Sequence, residues 1–377
     1  MRDEILRRSW VEVDLDQLKR NVEIYRSQLN PGTQVMAVVK ADAYGHGDRE
    51  VAHALREIGI DFFAVSNIKE AMRLRKTGIT GMILVLGYTP IQEIELAISN
   101  DITQTIVCED YAQEIIKQYG EKSKTLKVHV ALDTGMNRIG INAEKLLHCE
   151  KVIREWSTCF NLTGAFTHLC VADSNDPESV DFTNTQIALF EAVMDSVADL
   201  NLEQIHCLNS AGGLWKKTKY NKIVRLGIIM YGLKPDYQNV LPDEIKPVLT
   251  WKSVVSMVKT IGAGETIGYG RTYKAEKEMN VATIPTGYAD GYNRHLSNKG
   301  FVLIKGAKAP IVGRVCMDQM MVDVTGIDCK MGDEVVLLGN DGNSQFNADD
   351  MAQMLGTIGY EIVCDIGRRV IRYHVHE

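Results

Sequence analysis

The stretch Ala37-Val38-Val39-Lys40-Ala41-Asp42-Ala43-Tyr44-Gly45-His46-Gly47 decides how the rest of the chain is read. The apolar run from Val35 to Val39 predicts a buried strand, and that strand ends on a lysine. A strand interior rejects an unpaired ammonium because desolvating it is costly. A lysine at a strand end can instead point into a pocket, lose its proton and react with an aldehyde. Gly45 and Gly47 let the backbone turn tightly and approach a ligand. A lone lysine here would ordinarily snorkel to solvent, so the surrounding sequence has to choose between the two readings.

Working outward, short apolar segments recur through the first two-thirds of the chain. They are Val35–Val39, Phe62–Val65, Met82–Leu86, Thr105–Cys108, Val128–Leu132, Leu162–Phe166, Ile205–Leu208 and Ile223–Leu226. Most are continuously apolar, as strands buried on both faces of a parallel sheet must be. Helical patterns lie between them. Ile68–Arg75 is rich in helix formers and stops before Gly78; Asp110–Tyr119 starts on an acidic cap and stops at Gly120. Phe182–Leu200 places Phe182, Ile187, Phe190, Val193, Met194 and Val197 near one stripe. Eight strand–helix units predict an α/β fold, a (β/α)8 TIM barrel. A doubly wound open sheet is the weaker alternative, because no Gly-x-Gly-x-x-Gly turn follows the first strand.

The texture changes at Pro235, Pro242 and Pro247, which punctuate a polar stretch read as a linker. Beyond it, Val254–Ile261, Phe301–Ile304, Val335–Leu338 and Val370–His374 alternate and are broken by glycine, predicting a mostly β domain. Trp10-Val11-Glu12-Val13 alternates too, so this first strand is expected to pair there. The expected division is a barrel over residues 12–236, and a mostly β domain made of residues 1–11 with 237–377.

Composition excludes several classes. The 377 residues are 45% hydrophobic and 24% charged with a net charge of −7, an ordinary globular balance with no basic, aromatic-interleaved patch for nucleic acid. The charged stretch Met1–Arg8 lacks an apolar core, and no run is long enough to span a bilayer, so a cytoplasmic protein without a signal peptide or membrane contact is expected. The eight cysteines form no Cys-x-x-Cys pair and no Cys/His cluster with metal spacing. Free thiols of a reducing compartment are expected, buried in runs such as Thr105-Ile106-Val107-Cys108.

Barrels place their chemistry at the carboxyl ends of strands. Lys40, Arg138, His168, Asn209, Ser210 and Arg225 all fall there. Asn209-Ser210-Ala211-Gly212-Gly213 follows the seventh predicted strand and Arg225-Leu226-Gly227-Ile228 closes the eighth. Loops at those two places often bind phosphate, and backbone amides with a small hydroxyl suit one.

The segment around Lys40 closely resembles the cofactor-lysine segment of alanine racemases, fold-type III enzymes of pyridoxal 5'-phosphate. Further matches run in order along nearly the whole chain: Asp133-Thr134-Gly135-Met136-Asn137-Arg138, Ile267-Gly268-Tyr269-Gly270-Arg271, Gly287-Tyr288-Ala289-Asp290-Gly291-Tyr292 and Gly313-Arg314-Val315-Cys316-Met317-Asp318. The resemblance implies that Lys40 carries the cofactor and moves a proton on one face of the substrate. Tyr269 is implied as the second base, reaching the active site of a partner subunit in a homodimer. Ser210, Gly227, Ile228 and Tyr360 are implied phosphate contacts, with Tyr44, His168 and Asn209 completing the cofactor site. Arg225 is implied to face the pyridine nitrogen. An arginine can only donate, so that nitrogen must accept and stay unprotonated, a weaker electron sink. His168, backed by Arg225, is implied to favour the Tyr269 phenolate.

For the substrate, the resemblance implies Arg138, the Met317 backbone N–H and Tyr288. Asp173, Arg294, Arg314 and Ile358 match residues of the family's access channel. The implied activity is interconversion of L- and D-alanine, supplying D-alanine for peptidoglycan. A serine or broader racemase is the neighbouring reading, and Tyr360 in Ile358-Gly359-Tyr360 favours alanine. A fold-type III decarboxylase lacks support because its Cys-Glu-Ser-Gly-type segment is absent; a barrel-only cofactor-homeostasis protein would have no domain carrying Tyr269. One departure stands out. Many alanine racemases have a lysine, often carbamylated, two residues before the Asp of Asp-Thr-Gly-Met, where this chain has Ala131. A bound anion such as chloride, or a water network, is expected beside Arg138 instead. Asn137 also stands where glycine is common.

Overall fold

The computed structural model describes residues 8–236 and 238–376. Most of the charged N-terminal stretch lies outside the described residues. The chain forms two compact units: one of residues 19–230 with 238–244, the other of residues 8–18, 231–236 and 245–376.

The first unit is a parallel barrel. Its strands are Gln34–Val38, Phe62–Val65, Met82–Val85, Thr103–Ile106, Lys127–Asp133, Asn161–Phe166, Gln204–His206 and Ile223–Leu226. The first seven pair in parallel, each with its sequence neighbour, and the eighth returns to pair with the first. One seam lacks a ladder: Gln204–His206 and Ile223–Leu226 are not paired. A single main-chain bond, Arg225 N–H to Leu208 C=O at 3.0 Å, joins their ends. All eight segments read from the sequence are present, because strands buried on both faces are apolar at nearly every position. The fourth begins two residues earlier than expected. Its polar start, Thr103-Gln104, is buried, and Gln104 spends its amide inside the barrel on Thr89 Oγ1 at 2.7 Å and Gly87 C=O at 2.8 Å.

Two local expectations change. Cys108 is exposed, not buried: the strand ends at Ile106, and Cys108 occupies the N-cap of the helix Glu109–Tyr119 at the surface. Only Cys149 and Cys207 are buried, and all eight cysteines are free thiols. The helix read as Phe182–Leu200 runs Pro177–Ser196. Asp176 caps it through Ser179 N–H at 3.0 Å, and Pro177 takes the first turn, where its missing N–H costs nothing. Phe182 lies off the buried stripe, exposed, and its ring lies over Gly135 instead.

The second unit is mostly sheet. Its larger sheet runs Ala307–Pro310, Phe301–Ile304, Glu334–Asp341, Leu249–Val254, Ser9–Asp14, Ile371–Val375. Ser9–Asp14 sits inside it, antiparallel to Leu249–Val254 and parallel to Ile371–Val375. A smaller sheet orders Met257–Ile261, Met279–Ile284 and Met320–Asp323. The expected single strand Val254–Ile261 is therefore two. Val255 N–H and Ser256 N–H bond Asp333 C=O and Thr283 C=O, and this kink passes the chain from one sheet to the other. Ile261, Ile267, Ala275, Met279, Val281 and Val312 form a core beside the smaller sheet, with Tyr273 and Met321 packed on it.

Candidate active site

Lys40 follows the first barrel strand, and its backbone surroundings are unusual. Ala41, Asp42, Ala43 and Tyr44 all have φ between 52 and 57°, one left-handed turn built without glycine. Such a turn costs roughly 1–2 kcal/mol per residue. Its amides and carbonyls are accordingly well held. The Glu70 carboxylate accepts Ala41 N–H at 2.9 Å and Ser66 N–H at 2.7 Å. Asp42 accepts Asp48 N–H at 3.1 Å, and Arg73 Nε donates to the buried Asp48 carboxylate at 2.7 Å. The His46 ring donates from Nδ1 toward Ala43 C=O and Tyr44 C=O, each 2.9 Å away. The turn brings Tyr44 back beside Lys40, whose Nζ is 5.9 Å from the ring centre.

The same turn carries the Tyr44 hydroxyl to the loops after the last two strands. A Cβ placed on Gly227 would lie 3.0 Å from Tyr44 Oη and 3.7 Å from Ser210 Oγ. Gly227 N–H donates to Ser210 Oγ at 2.8 Å. Asn209 caps the short helix Ser210–Trp215 through Gly212 N–H at 2.8 Å and ties it to Leu169 C=O at 3.0 Å. Beneath, the buried Tyr25 hydroxyl donates to Ser210 C=O at 2.8 Å. Ile228 is buried behind Gly227. Two hydroxyls thus border a space kept open by the absence of one methyl group, with the Gly227 main chain at its edge, a composition suited to a phosphate.

Arg225 is 3% exposed. Its NH1 reaches His206 Nδ1 at 2.7 Å and His206 C=O at 2.8 Å, its NH2 reaches Thr167 C=O at 2.6 Å, and His168 Nδ1 is 3.4 Å from NH2. Since a guanidinium can only donate, His206 Nδ1 is an acceptor and its proton sits on Nε2. That N–H donates to His129 Nδ1 at 3.0 Å, and His129 Nε2–H donates to Gln204 Oε1 at 2.8 Å. Every tautomer in this row follows from the arginine. Burial first, and the Arg225 charge besides, hold His168 and His206 well below the ordinary histidine range; burial takes His129 to about 4. Burial also pulls Arg225 down, to about 10, which leaves it protonated at neutral pH. Neither His129 nor His206 was anticipated from sequence. The signal was a histidine inside each of two apolar strands, Val128-His129-Val130 and Ile205-His206-Cys207.

Arg138 is exposed on the loop after the fifth strand. The Asp133 carboxylate shapes that loop, accepting Gly135 N–H and Asn137 N–H at 3.0 Å each. Asn137 has φ 57°, which explains glycine's usual place there; asparagine is a residue that tolerates this conformation. Beside Ala131, a cavity of about 20 Å3 is bounded by Arg138, Phe166, Thr167 and His168, room for one water or small ion.

The remaining predicted residues, Asp173 apart, belong to the second unit. Tyr269 is 69% exposed at a turn fixed by Gly268 at φ 69° and Gly270 at φ 71°, with the Arg314 guanidinium packed against Gly270. Tyr288 and Met317 are exposed on adjoining loops, and Met317 N–H makes no hydrogen bond among the described residues. Ile358 is exposed and Tyr360 half-buried at the start of the helix Gly359–Cys364. Arg294 is exposed on a short turn, Arg294–Leu296, and Asp173 C=O in the barrel unit accepts Asn239 Nδ2 at 2.7 Å. Among the described residues, no helix is long and apolar enough to cross a membrane.

A parallel barrel with a lysine, a buried arginine and a hydroxyl-lined anion cradle at its strand ends defines a (β/α)8-barrel enzyme class. Residues 13–235 match the family model "Alanine racemase, N-terminal domain", and residues 248–374 match "Alanine racemase, C-terminal domain". The alanine racemase of Desulfovibrio desulfuricans is 41% identical over 370 residues, 97% of this chain and 98% of that one. The crystal structure of the alanine racemase from E. faecalis superposes with a TM-score of 0.90 at 35% identity, covering 100% of both chains. That of Bacillus anthracis, described with bound L-Ala-P, gives 0.90 at 35% identity, covering 99% of this chain and 96% of that one. The chain belongs to the alanine racemase family.

Proposed function

We propose that this chain interconverts L- and D-alanine by a two-base reaction with pyridoxal 5'-phosphate held on Lys40, supplying D-alanine for peptidoglycan in the cytoplasm. The observation that carries the reading is the cradle around Gly227, where Tyr44 Oη, Ser210 Oγ and Gly227 N–H converge within the unit that presents Lys40. Those residues fit a phosphate, and Ile228, Asn209 and Tyr360 extend the binding set. When bound, this cofactor supplies the electron sink that makes an amino-acid Cα–H acidic. Arg225, donor-only and held through NH1 and NH2 by five neighbouring acceptors, would meet the ring nitrogen as a donor. His168, kept neutral by burial, stands beside it.

Lys40 Nζ takes or returns the proton on one face of Cα, and Tyr269 Oη serves the other. Tyr269 is exposed on a rigid turn, which suits delivery to a second copy of the chain, so the working unit is a homodimer. Arg138, the unspent Met317 N–H and Tyr288 bind and orient the carboxylate. The relative described with L-Ala-P is consistent with alanine as substrate.

The test is to follow optical rotation after adding L-alanine to purified protein supplied with the cofactor, and to map the peptide labelled by borohydride. Racemisation with label on Lys40 is expected, and Tyr269→Phe should retain the cofactor and lose conversion in both directions, since every turnover uses both bases, while solvent exchange of the Cα proton survives for only one enantiomer. Label on another residue, or undiminished racemisation by Tyr269→Phe, overturns the reading.

A further inference from the structure

Asp290 is completely buried, yet it is a carboxylate in a sheet-rich unit. A buried charge persists only when paired and hydrogen-bonded. Its Oδ1 accepts Arg369 Nε at 2.7 Å and is also paired with Arg8; its Oδ2 accepts Gly287 N–H at 2.9 Å. The other edge of Arg369 reaches Asp318 Oδ1 at 2.7 Å. Asp290 thus closes the turn Gly287–Asp290 that bears Tyr288, and Arg369 ties that turn to the loop bearing Met317.

The two loops are also stitched by main chain. Tyr288 N–H donates to Cys316 C=O and Ala289 N–H to Met317 C=O, each at 3.0 Å. Gly287 approaches so closely that a Cβ there would lie 2.3 Å from Cys316 O. These bonds fix Cys316 and the Met317 carbonyl. Cys316 N–H also closes the loop on Gln319 C=O at 2.8 Å, and Asp318 at its tip is held by side chain, chiefly by Arg369, with a longer bond of 3.4 Å from Arg8 to Asp318 C=O. Arg369 also offsets the negative charge of Asp318, one residue from an N–H meant for an anion.

We propose that Arg369, anchored by Asp290, is a positioning residue for substrate: it sets the Met317 N–H and the Tyr288 ring in the geometry that receives a carboxylate. The proposal rests on the reading that Met317 and Tyr288 face the substrate. It differs from a stabilising ion pair in what it predicts. Losing the tie should weaken carboxylate binding while leaving cofactor binding and proton transfer nearly intact.

The experiment uses the cofactor-loaded enzyme with Arg369→Met, Arg369→Lys and Met317→Pro, which lacks the N–H. Measured are KM and kcat from both enantiomers, inhibition by propionate as a carboxylate probe, visible cofactor absorption and melting temperature. Lysine keeps a charge beside Asp290 but cannot span two carboxylates, so Arg369→Lys should melt like the parent. In both Arg369 variants KM and the propionate inhibition constant should rise about three- to tenfold, the worth of one hydrogen bond, with kcat within about twofold. If Arg369→Lys leaves both constants unchanged while Met317→Pro raises them, the inference falls alone. If Met317→Pro leaves them unchanged, the reading of Met317 falls and takes the inference with it.

Discussion

At the scale of single residues, the site depends on what is missing as much as on what is present. Gly227 has no methyl group where Tyr44 Oη and Ser210 Oγ converge. Gly227→Ala is expected to fold, since the added Cβ needs only a few tenths of an ångström from Tyr44 Oη at 3.0 Å. It should nonetheless weaken cofactor phosphate binding by about tenfold or more, as one charge-assisted hydrogen bond is lost or bent. Dialysis followed by absorption of the retained cofactor measures this; full retention would show that the phosphate sits elsewhere. Much of this was legible beforehand. Lys40, Ser210 and Arg225 stand out because a polar residue ending an apolar run has few structural reasons to be there. His129 and His206 were not legible. Each lies mid-strand, and only the closure of the barrel places one against the other, 77 positions apart.

At the scale of elements, the lysine turn is the most constrained piece of the barrel. Sequence shows two glycines at 45 and 47 and so predicts a tight turn, but the left-handed residues are the four before them. Local propensity cannot reveal this, because alanine and tyrosine disfavour that conformation; the surrounding acceptors impose it. Glu70 is central, receiving two amides on one carboxylate. Glu70→Gln presents an NH2 group to one of them, so a stability loss of about 1–3 kcal/mol is expected. Urea unfolding measures it, and an unchanged midpoint would mean the turn is held without Glu70. The helix at Pro177 teaches a related lesson. Its apolar stripe locates the middle of the helix, whereas Asp176-Pro177 locates its start. In the sheet unit, the split at Val255–Ser256 falls in a run with no glycine or proline to mark it, and only the partners of the two halves differ.

At the scale of the whole molecule, buried titratable groups set the response to acid. His129, His168 and His206 have folded pKa values depressed below 6.5, so the unfolded chain binds protons that the fold refuses. Their stability contribution is present above about pH 6.5 and is lost as pH falls from there toward 4. Asp349 acts oppositely. Burial raises it from 3.8 to about 6, so its contribution is present at low pH and is lost as pH rises through about 6. Asp48 and Asp365, also raised by burial, act with Asp349, so stability should fall between pH 6 and 4 by less than the roughly 2.7 kcal/mol per pH unit that a net of two protons would give. Chemical denaturation at several pH values checks this. His129→Gln should flatten the slope and Asp349→Asn should steepen it; a flat profile in the parent would refute the buried-histidine account. Where the barrel's main chain supplies one bond across the unladdered seam, the Arg225 guanidinium supplies three more, to His206 Nδ1, His206 C=O and Cys207 C=O. One side chain thus does the closing work of a missing ladder, so shortening it should loosen the ring at that seam before any other.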